Sequence, residues 1–282
     1  MVEKSGAKVI EGFNEYLNSE GSSSGTVQTY TRIIREFANW LKHNGGNFDQ
    51  LTRIDVQQYI QHLEKNRNSA TTIENKFAAL SVLARYLNVA EILKNIRRPK
   101  ARKSRHVAPK SLDRNERNRI LREVERTRNQ RDIAIVYLFV YSGLRVSEMV
   151  ALDREDIVIE QRSGSVTVRN GKGNIERTVP LPVEARLQLS QYLESRTDDQ
   201  SALFLSNYRR RISVRSVQRV LEKFGVHPHQ LRHTYCRELV GAGVDIATVA
   251  ELAGHADINM TRRYAKPSAA ELEHAIEKAF GA

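Results

Sequence analysis

The feature that most constrains the fold is a basic segment, residues 97–110, which cannot contribute to a hydrophobic core. It contains two prolines and seven lysines or arginines but no acidic residue. Its like charges repel one another, and a segment of this composition buries too little apolar surface to fold alone. The chain is therefore predicted to divide into an N-terminal part, residues 1–96, and a C-terminal part, residues 111–282, with this segment as a linker.

The overall composition favours a folded protein that binds a polyanion. Hydrophobic residues make up 40% of the 282, which is enough for buried cores and too many for a disordered chain. Lysine and arginine outnumber aspartate and glutamate by 45 to 33, giving a formal charge of +12. Such an excess is typical of proteins that neutralise nucleic-acid phosphates and release their condensed counterions. From charge alone, a merely basic soluble protein is the alternative.

Cysteine usage and the lack of long apolar runs restrict the compartment. Cys236 is the only cysteine, so neither an intramolecular disulfide nor a zinc site built from several cysteines is possible. The amino terminus lacks the apolar run of a signal peptide, and no segment approaches the ~18 apolar residues of a membrane span. We therefore expect a cytoplasmic, nucleoid-associated protein of a bacterium or archaeon, with nucleic acid rather than lipid as its partner.

Hydrophobic periodicity predicts a mainly helical N-terminal part. Apolar residues at helical spacing indicate one helix through residues 30–41, a second after Asp55, and a third that starts at Ser69 or Thr71. Their aromatic side chains are interpreted as core rather than as a platform for stacked bases.

The C-terminal part is predicted to contain a small β-sheet among helices. Asp113 and Glu116 have the spacing of a capping box at a helix start. Residues 133–140 form a nearly unbroken apolar run, which is typical of a buried helix. Residues 165–169 and 175–181 alternate like two half-buried strands of a hairpin.

Arg145 is the first candidate for phosphate recognition. The buried helix is predicted to end at Gly143, which places Arg145 at the start of the next helical turn. A guanidinium there offers paired donors to a phosphate, aided by the partial positive charge of a helix N-terminus. Glu148 is three residues further on and is placed to orient Arg145. A purely structural arginine–glutamate pair is the alternative.

Lys172 lies at the tip of the predicted hairpin, between two glycines. The glycines let the backbone approach a ligand closely and let the lysine move. Its ammonium can donate a proton to a leaving alkoxide, and general-acid help of this kind is typically worth ~10²- to 10⁴-fold in rate. An ordinary surface lysine is the alternative.

The densest group of polar residues is the segment 227–235. His229 and Arg232 are three residues apart and share a helix face, where both can donate hydrogen bonds to an oxyanion. His229 and His233 are four apart, a spacing also used by zinc sites, but no glutamate lies between them. We therefore predict an oxyanion site without a metal.

Tyr264 is the candidate nucleophile. Gly254 indicates a turn that exposes His255, and Tyr264 follows nine residues later. The reference pKa of a phenol is about 10, so its attack requires a base or strong local positive charge. The histidines and arginines named above are candidates to supply both, and a packing role is the alternative.

Taken together, these residues resemble the catalytic set of the tyrosine recombinase, or phage-integrase-like, family. The matching motifs are Gly143-Leu144-Arg145-x-x-Glu148, Gly171-Lys172-Gly173, His229-x-Leu231-Arg232-His233, Gly254-His255 and Thr261-x-x-Tyr264. The resemblance covers nearly the whole chain, and its compact length is most similar to Xer-type and small transposon-encoded recombinases. Glu176, where a basic residue is common, and Ala265-Lys266 after the tyrosine depart from the pattern.

The resemblance implies a division of labour along the chain. Residues 1–96 correspond to a helical, SAM-like core-binding domain, residues 97–110 to a linker, and residues 111–282 to the catalytic domain with a C-terminal exchange helix. The two domains would form a C-shaped clamp around double-stranded DNA. The linker residues expected to contact DNA are Arg97, Arg98, Lys100, Arg102, Lys103 and Arg105.

The resemblance also implies the reaction. Arg145 and Arg232 would bind the scissile phosphate and Tyr264 would attack it, giving a 3′-phosphotyrosyl intermediate without metal, ATP or other cofactor. Lys172 would protonate the leaving 5′-hydroxyl, while His229 and His255 position the phosphate and manage the tyrosine proton. Family members act as tetramers on paired sites and pass through a Holliday junction. A tail helix with Leu272, Ile276 and Phe280 on one side would dock on a neighbouring subunit or, alternatively, fold back on its own domain.

Several biological roles and rival activities remain compatible with the sequence. Transposon cointegrate resolution and Xer-like dimer resolution are the favoured roles, and integration of a phage or mobile element is the alternative. Accessory DNA sites or a partner recombinase are possible additions. The rival activities are DNA relaxation by a type IB topoisomerase, a non-catalytic DNA-binding protein, and a metal-dependent nuclease.

Overall fold

The chain, described here from a computed structural model, divides into two compact units, residues 1–104 and residues 105–282. The structure describes residues 6–99, 110–169, 176–255 and 257–264. Both units are mainly helical, and the second contains a three-stranded sheet, which confirms the predicted fold class. The closure of two domains around DNA stays a prediction. Within the described ranges, no helix is long and apolar enough to cross a membrane.

The described part of the first unit consists of four α-helices and two short 3₁₀ turns. The helices are α1 (Gly6–Ser19), α2 (Ser24–His43), α3 (Arg53–Lys65) and α4 (Ala70–Tyr86), and the turns are Phe48–Gln50 and Ala90–Leu93. The predicted aromatic stripe contributes to the core, because Phe37, Tyr59 and Phe77 are buried. Helix α1 lies outside the predicted elements, since its buried residues are single apolar positions four apart in a polar segment.

Side-chain caps fix where these helices begin. Ser23 caps α2, and Ser69 caps α4 at one of the two predicted starts. The prediction that α3 begins after Asp55 is wrong by three residues, because the helix begins at Arg53. Thr52 is the N-cap, and Asp55 is the third helical residue, whose carboxylate completes a capping box with Thr52.

The second unit surrounds its sheet with eight helices in the residues that are described. They are α5 (Arg114–Arg126), α6 (Gln130–Ser142), α7 (Val146–Ala151), α8 (Val183–Glu194), α9 (Val214–Glu222), α10 (Pro228–Gly241), α11 (Ile246–Ala253) and α12 (Asn259–Arg262), with a 3₁₀ turn at Arg154–Asp156. The predicted capping box of Asp113 and Glu116 starts α5. Helix α6 is buried throughout residues 132–140, as its apolar run predicts, and packs against α5, α8 and α10.

The sheet is antiparallel in the order β1 (Ile157–Ile159), β2 (Gly164–Val168) and β3 (Arg177–Pro180). Strands β2 and β3 are antiparallel neighbours, as the predicted hairpin requires, and Val168 is paired with Arg177. Strand β1 lies outside the predicted elements because three residues are too few to establish an alternating pattern. The sheet therefore brings Arg177, at the start of β3, to the interior of the unit, where it is buried.

Candidate active site

Three arginines converge on the C-terminal end of α11. They come from α7, β3 and α10, which are distant in sequence, and each donates to one of three consecutive backbone carbonyls. The pairs are Arg177 Nε to Leu252 O at 3.1 Å, Arg232 Nη2 to Ala253 O, and Arg145 Nη2 to Gly254 O at 2.6 Å. The carbonyl end of a helix carries partial negative charge, so it stabilises this concentration of cations.

Gly254 makes this convergence possible. It ends α11 in the left-handed conformation with φ of +65°. A Cβ at this position would lie 2.7 Å from Nη1 of Arg177, closer than two such atoms can approach. The predicted turn at Gly254 is confirmed, and both the backbone angle and the space that Arg177 occupies require glycine there. The turn leaves His255 half-buried, however, and not exposed as predicted.

Arg232 is fixed by the ends of two helices. Besides Ala253 O it donates to Gly143 O at 2.7 Å, the carbonyl that follows α6. Burial, followed by the nearby charge of Arg145, lowers the pKa of Arg232 to about 10. The guanidinium is therefore still charged at neutral pH. Two carbonyls engage two of its five donors, so donors remain for an oxyanion.

Arg145 is the N-cap residue of α7, as predicted, and Glu148 holds it from two sides. The carboxylate of Glu148 accepts from the Arg145 backbone N–H at 2.8 Å and from Nη1 at 2.6 Å. The Arg145 side chain is about one-fifth exposed, whereas the Glu148 side chain is almost completely buried. The charged side chain of Arg145 is therefore partly exposed to solvent, while the buried carboxylate of Glu148 holds it in place.

Arg177 is a site residue that sequence reasoning missed. Its two terminal nitrogens donate to the two oxygens of Glu148 at 3.1 and 2.7 Å, so Glu148 bridges Arg177 and Arg145. Burial by itself would raise the pKa of Glu148, but the hydrogen bonds from Arg177 and Arg145 outweigh it and lower the pKa to about 2. Glu148 is therefore ionised, and it positions both arginines.

Replacing Arg177 with methionine is expected to lower the free energy of unfolding of the second unit by about 3 to 5 kcal/mol. The reason is that Glu148 stays charged and buried but loses two of its donors. Urea titration of the full chain, followed by amide hydrogen exchange in peptides from α6 and β3, measures the loss. Tryptophan fluorescence would not report the unfolding of the second unit, because the single tryptophan, Trp40, lies in the first unit.

The matched control for this substitution is Arg119→Met on α5. Arg119 forms an exposed ion pair with Glu123 four residues away. Such surface pairs contribute about 0.3 to 0.5 kcal/mol. Equal losses of stability in the two variants would contradict the assignment of Arg177 as the buried support of Arg145.

The two predicted site histidines lie near the arginines and favour the neutral form. Burial, followed by the charges of Arg232 and Arg145, lowers the pKa of His255 to about 4. Burial and Arg232 likewise lower the pKa of His229. Nδ1 of His255 is 2.8 Å from Oγ1 of Thr261, a fully buried residue of α12. His255 therefore ties the end of α11 to the short helix that precedes Tyr264.

Tyr264 packs against the core of the second unit, and its hydroxyl contacts His233. Burial raises the pKa of the phenol, and Arg232 and Arg263 oppose that rise. The partner of the hydroxyl is thus neither His229 nor His255, to which sequence reasoning gave the tyrosine proton. Sequence reasoning named His233 as half of a zinc spacing and as the last residue of the His229-x-Leu231-Arg232-His233 motif, but gave it no role in the reaction. Its position directly after Arg232 was the available signal.

Among the described residues, no group of three or more histidine, cysteine, aspartate or glutamate side chains is arranged to hold a metal ion. Several predicted functional residues lie outside the described residues. They are Lys172, Lys100, Arg102, Lys103 and Arg105, and the tail residues Leu272, Ile276 and Phe280.

Two described residues of the set predicted to contact DNA, Arg97 and Arg98, are bound to helices α3 and α4. Arg98 donates to both carboxylate oxygens of Glu74 at 3.0 and 3.1 Å, and its guanidinium lies 3.9 Å from the centre of the Phe77 ring. The backbone of Arg97 exchanges two hydrogen bonds with the side chain of Gln57. The start of the predicted linker is therefore anchored, although both residues remain exposed.

Comparison with known proteins identifies the class. Residues 110–271 match the phage integrase family, and residues 10–91 match the phage integrase N-terminal SAM-like domain. The chain belongs to this family of tyrosine recombinases and is a site-specific recombination enzyme.

Individual relatives match over almost their whole length. The chain is similar to the tyrosine recombinase XerA of Thermococcus kodakarensis, with 34% identity over 96% of this chain and 95% of XerA. It is 27% identical to the TnP I resolvase of Bacillus thuringiensis, over 95% of this chain and 99% of the resolvase. Its fold is similar to the crystal structure of the XerH site-specific recombinase bound to its difH substrate, with a TM-score of 0.71 and 19% identity over 96% of this chain and 84% of XerH.

Proposed function

We propose that the second unit breaks and rejoins DNA strands through a covalent bond between Tyr264 and a 3′-phosphate. The observation that carries this proposal is the anchoring of Arg145 and Arg232 on adjacent carbonyls of Ala253 and Gly254. Two guanidiniums held side by side with unused donors are suited to the non-bridging oxygens of one phosphate. Preorganised donors of this type stabilise a transition state by ~10²- to 10³-fold each.

In the first step, the Tyr264 oxygen attacks the phosphorus of the scissile phosphate. A bond forms between the phenolic oxygen and phosphorus, and the bond from phosphorus to the 5′-oxygen breaks. The phenol gives up its proton to a base in the site, and Lys172 supplies a proton to the departing 5′-oxygen. His229 and His255 assist by positioning the phosphate and the segment that carries Tyr264. The phosphotyrosyl bond conserves the energy of the broken phosphodiester, so no ATP and no metal are required.

In the second step, the 5′-hydroxyl of a partner strand attacks the phosphotyrosine and releases Tyr264. One such exchange between two DNA sites produces a Holliday junction, and a second exchange resolves it. We propose a homotetramer on paired sites, connected by the tail helix that carries Leu272, Ile276 and Phe280. The basic residues of the linker, with Arg97 and Arg98 at its anchored start, are proposed to contact the DNA backbone.

The proposed role is Xer-like recombination at paired sites of one replicon. The support is the 34% identity to XerA over nearly the whole of both chains. Resolution of transposon cointegrates is the second candidate, favoured by the similarity to TnP I resolvase. Accessory DNA sites or a partner recombinase would then be expected beside the core site.

A plasmid assay separates this proposal from the activity of a type IB topoisomerase. A supercoiled plasmid with two direct copies of the recognition site is expected to yield two smaller circles, whereas a plasmid without sites stays supercoiled. The sites are first found by selecting bound sequences from a random DNA library. Recombination in EDTA is expected to proceed at the same rate, because no metal takes part in the steps above.

Two outcomes would contradict the proposal. Relaxation of the site-free plasmid at a comparable rate would favour a topoisomerase. Loss of activity in EDTA, restored by a divalent metal, would favour a metal-dependent nuclease or strand transferase that uses His229 and His233.

A further inference from the structure

His233 is the residue that contacts the hydroxyl of Tyr264. Nδ1 of His233 and the phenolic oxygen form a hydrogen bond between α10 and the segment that follows α12. Their ring centres are 5.9 Å apart and the rings are tilted by 44°. A phenol with a raised pKa keeps its proton, so the hydroxyl donates and the imidazole nitrogen accepts.

The contact with His233 also connects Tyr264 to Arg232. His233 directly follows Arg232, whose guanidinium is fixed by carbonyls at the ends of α6 and α11. A hydrogen bond to the next side chain of α10 therefore ties the Tyr264 hydroxyl to the same helical turn that holds a phosphate-binding arginine. One turn earlier on α10, the ring of His229 lies 6.5 Å from that of His233.

The segment that carries Tyr264 is held at a second point. The buried Thr261 contacts Nδ1 of His255, and the Tyr264 backbone N–H donates to Thr261 O at 3.0 Å. His255 therefore fixes the backbone just before the nucleophile, while His233 fixes the reacting oxygen. Two tethers of this kind restrict the rotation of the tyrosine side chain before DNA arrives.

The charge state of His233 indicates whether this residue orients the Tyr264 phenol or removes its proton. Burial, followed by the nearby His229, Arg232, Arg263 and His227, lowers the pKa of His233 to about 4. The ring is thus a neutral acceptor at neutral pH. A general base works best when its pKa lies near the operating pH, and a value this low is poorly matched to a phenol whose pKa is raised.

We propose that His233 is a positioning residue that holds the Tyr264 hydroxyl in register with Arg232 through a neutral hydrogen bond. The inference rests on the proposed function, in which Tyr264 is the nucleophile. Loss of the His233 side chain would displace the attacking oxygen of Tyr264 while leaving the phosphate-binding arginines in place. A displacement of about 1 Å at a reacting atom can reduce a rate by roughly 10²-fold.

The test compares His233→Ala with His233→Asn. The amide oxygen of asparagine replaces Nδ1 as an acceptor but cannot take up a proton in this pH range. The rate of adduct formation is measured in a single turnover at saturating concentrations of a nicked suicide substrate. We expect the alanine variant to be about 10- to 100-fold slower than wild type, and the asparagine variant to regain most of that loss. His43→Ala, at the exposed end of α2, is the control.

A readout without DNA accompanies the kinetics. In the wild type, the ¹⁵N chemical shift of His233 Nδ1 is expected to be that of a nitrogen accepting a hydrogen bond in a neutral ring. Tyr264→Phe should shift this resonance, because it removes the donor and keeps the aromatic ring. The asparagine variant identifies the resonance by its absence.

The outcomes separate this inference from the proposed function. An adduct in the wild type with an unchanged or faster rate in His233→Ala would overturn the positioning role alone. Equal slowing in both His233 variants, with folding intact, would overturn it in favour of proton transfer by the imidazole. Failure of the wild type to form any adduct would overturn the proposed function and this inference with it.

Discussion

Replacing Tyr264 with phenylalanine is expected to abolish the covalent protein–DNA adduct while leaving DNA affinity nearly unchanged. The substitution removes only the attacking oxygen, and loss of a covalent nucleophile can cost about six orders of magnitude in rate. The aromatic ring keeps its packing against the core of the second unit. Among the described contacts the hydroxyl is bonded to His233 and to no arginine, so the arginines stay in place. Gel electrophoresis in SDS on a nicked substrate measures the adduct, and gel shift measures binding.

Tyr208→Phe is the matched control for this substitution. Tyr208 is 87% exposed, and its phenylalanine variant should form adduct at the wild-type rate. An adduct of normal yield in Tyr264→Phe would show that another residue is the nucleophile. A parallel loss of DNA binding would show instead that the hydroxyl contributes to affinity.

Replacing Arg232 with lysine is expected to reduce the cleavage rate by about 10²- to 10³-fold. Arg232 uses one guanidinium to bind the carbonyls of Gly143 and Ala253 and still has donors for a phosphate oxygen. The single ammonium of lysine keeps the charge but cannot bridge both carbonyls and the phosphate. Single-turnover cleavage at saturating substrate separates this loss from any change in affinity.

The control lies on the same helix. Arg237→Lys on α10 loses a hydrogen bond from Nη2 to Leu112 O, which is not one of the three carbonyls that hold the site arginines. It should cleave at close to the wild-type rate. Cleavage by Arg232→Lys within threefold of this control would contradict the assignment of Arg232 as a phosphate-binding residue.

Local sequence patterns predicted the parts of the site that depend on neighbouring residues. Gly143 ends the buried helix, so Arg145 had to follow at the start of α7, and Glu148 lies within reach along the same helix. The strands β2 and β3 followed from alternation of apolar residues around a turn sequence. Each of these relations spans only a few residues, where spacing determines geometry.

The parts of the site that depend on tertiary packing could not be predicted. Arg177 contacts Glu148 across 29 positions and Leu252 across 75, and no periodicity in sequence connects residues so far apart. The contact of His233 with Tyr264 likewise joins residues 31 positions apart, and it depends on how the segment after α12 lies against α10. From the sequence alone, two histidines four residues apart are more typical of a zinc site than of a contact with a distant tyrosine.

Tyr264 is expected to become covalently linked to DNA, and the identity of the linked residue can be measured. The wild-type protein is reacted with a suicide substrate nicked just downstream of the scissile phosphate, so that the released fragment diffuses away. The adduct is then digested with protease and nuclease, and the modified peptide is sequenced by mass spectrometry. We expect a 3′-phosphonucleotide on Tyr264, as its assignment as the nucleophile requires. A modification on any other residue, or no adduct with a substrate that the protein binds, would contradict it.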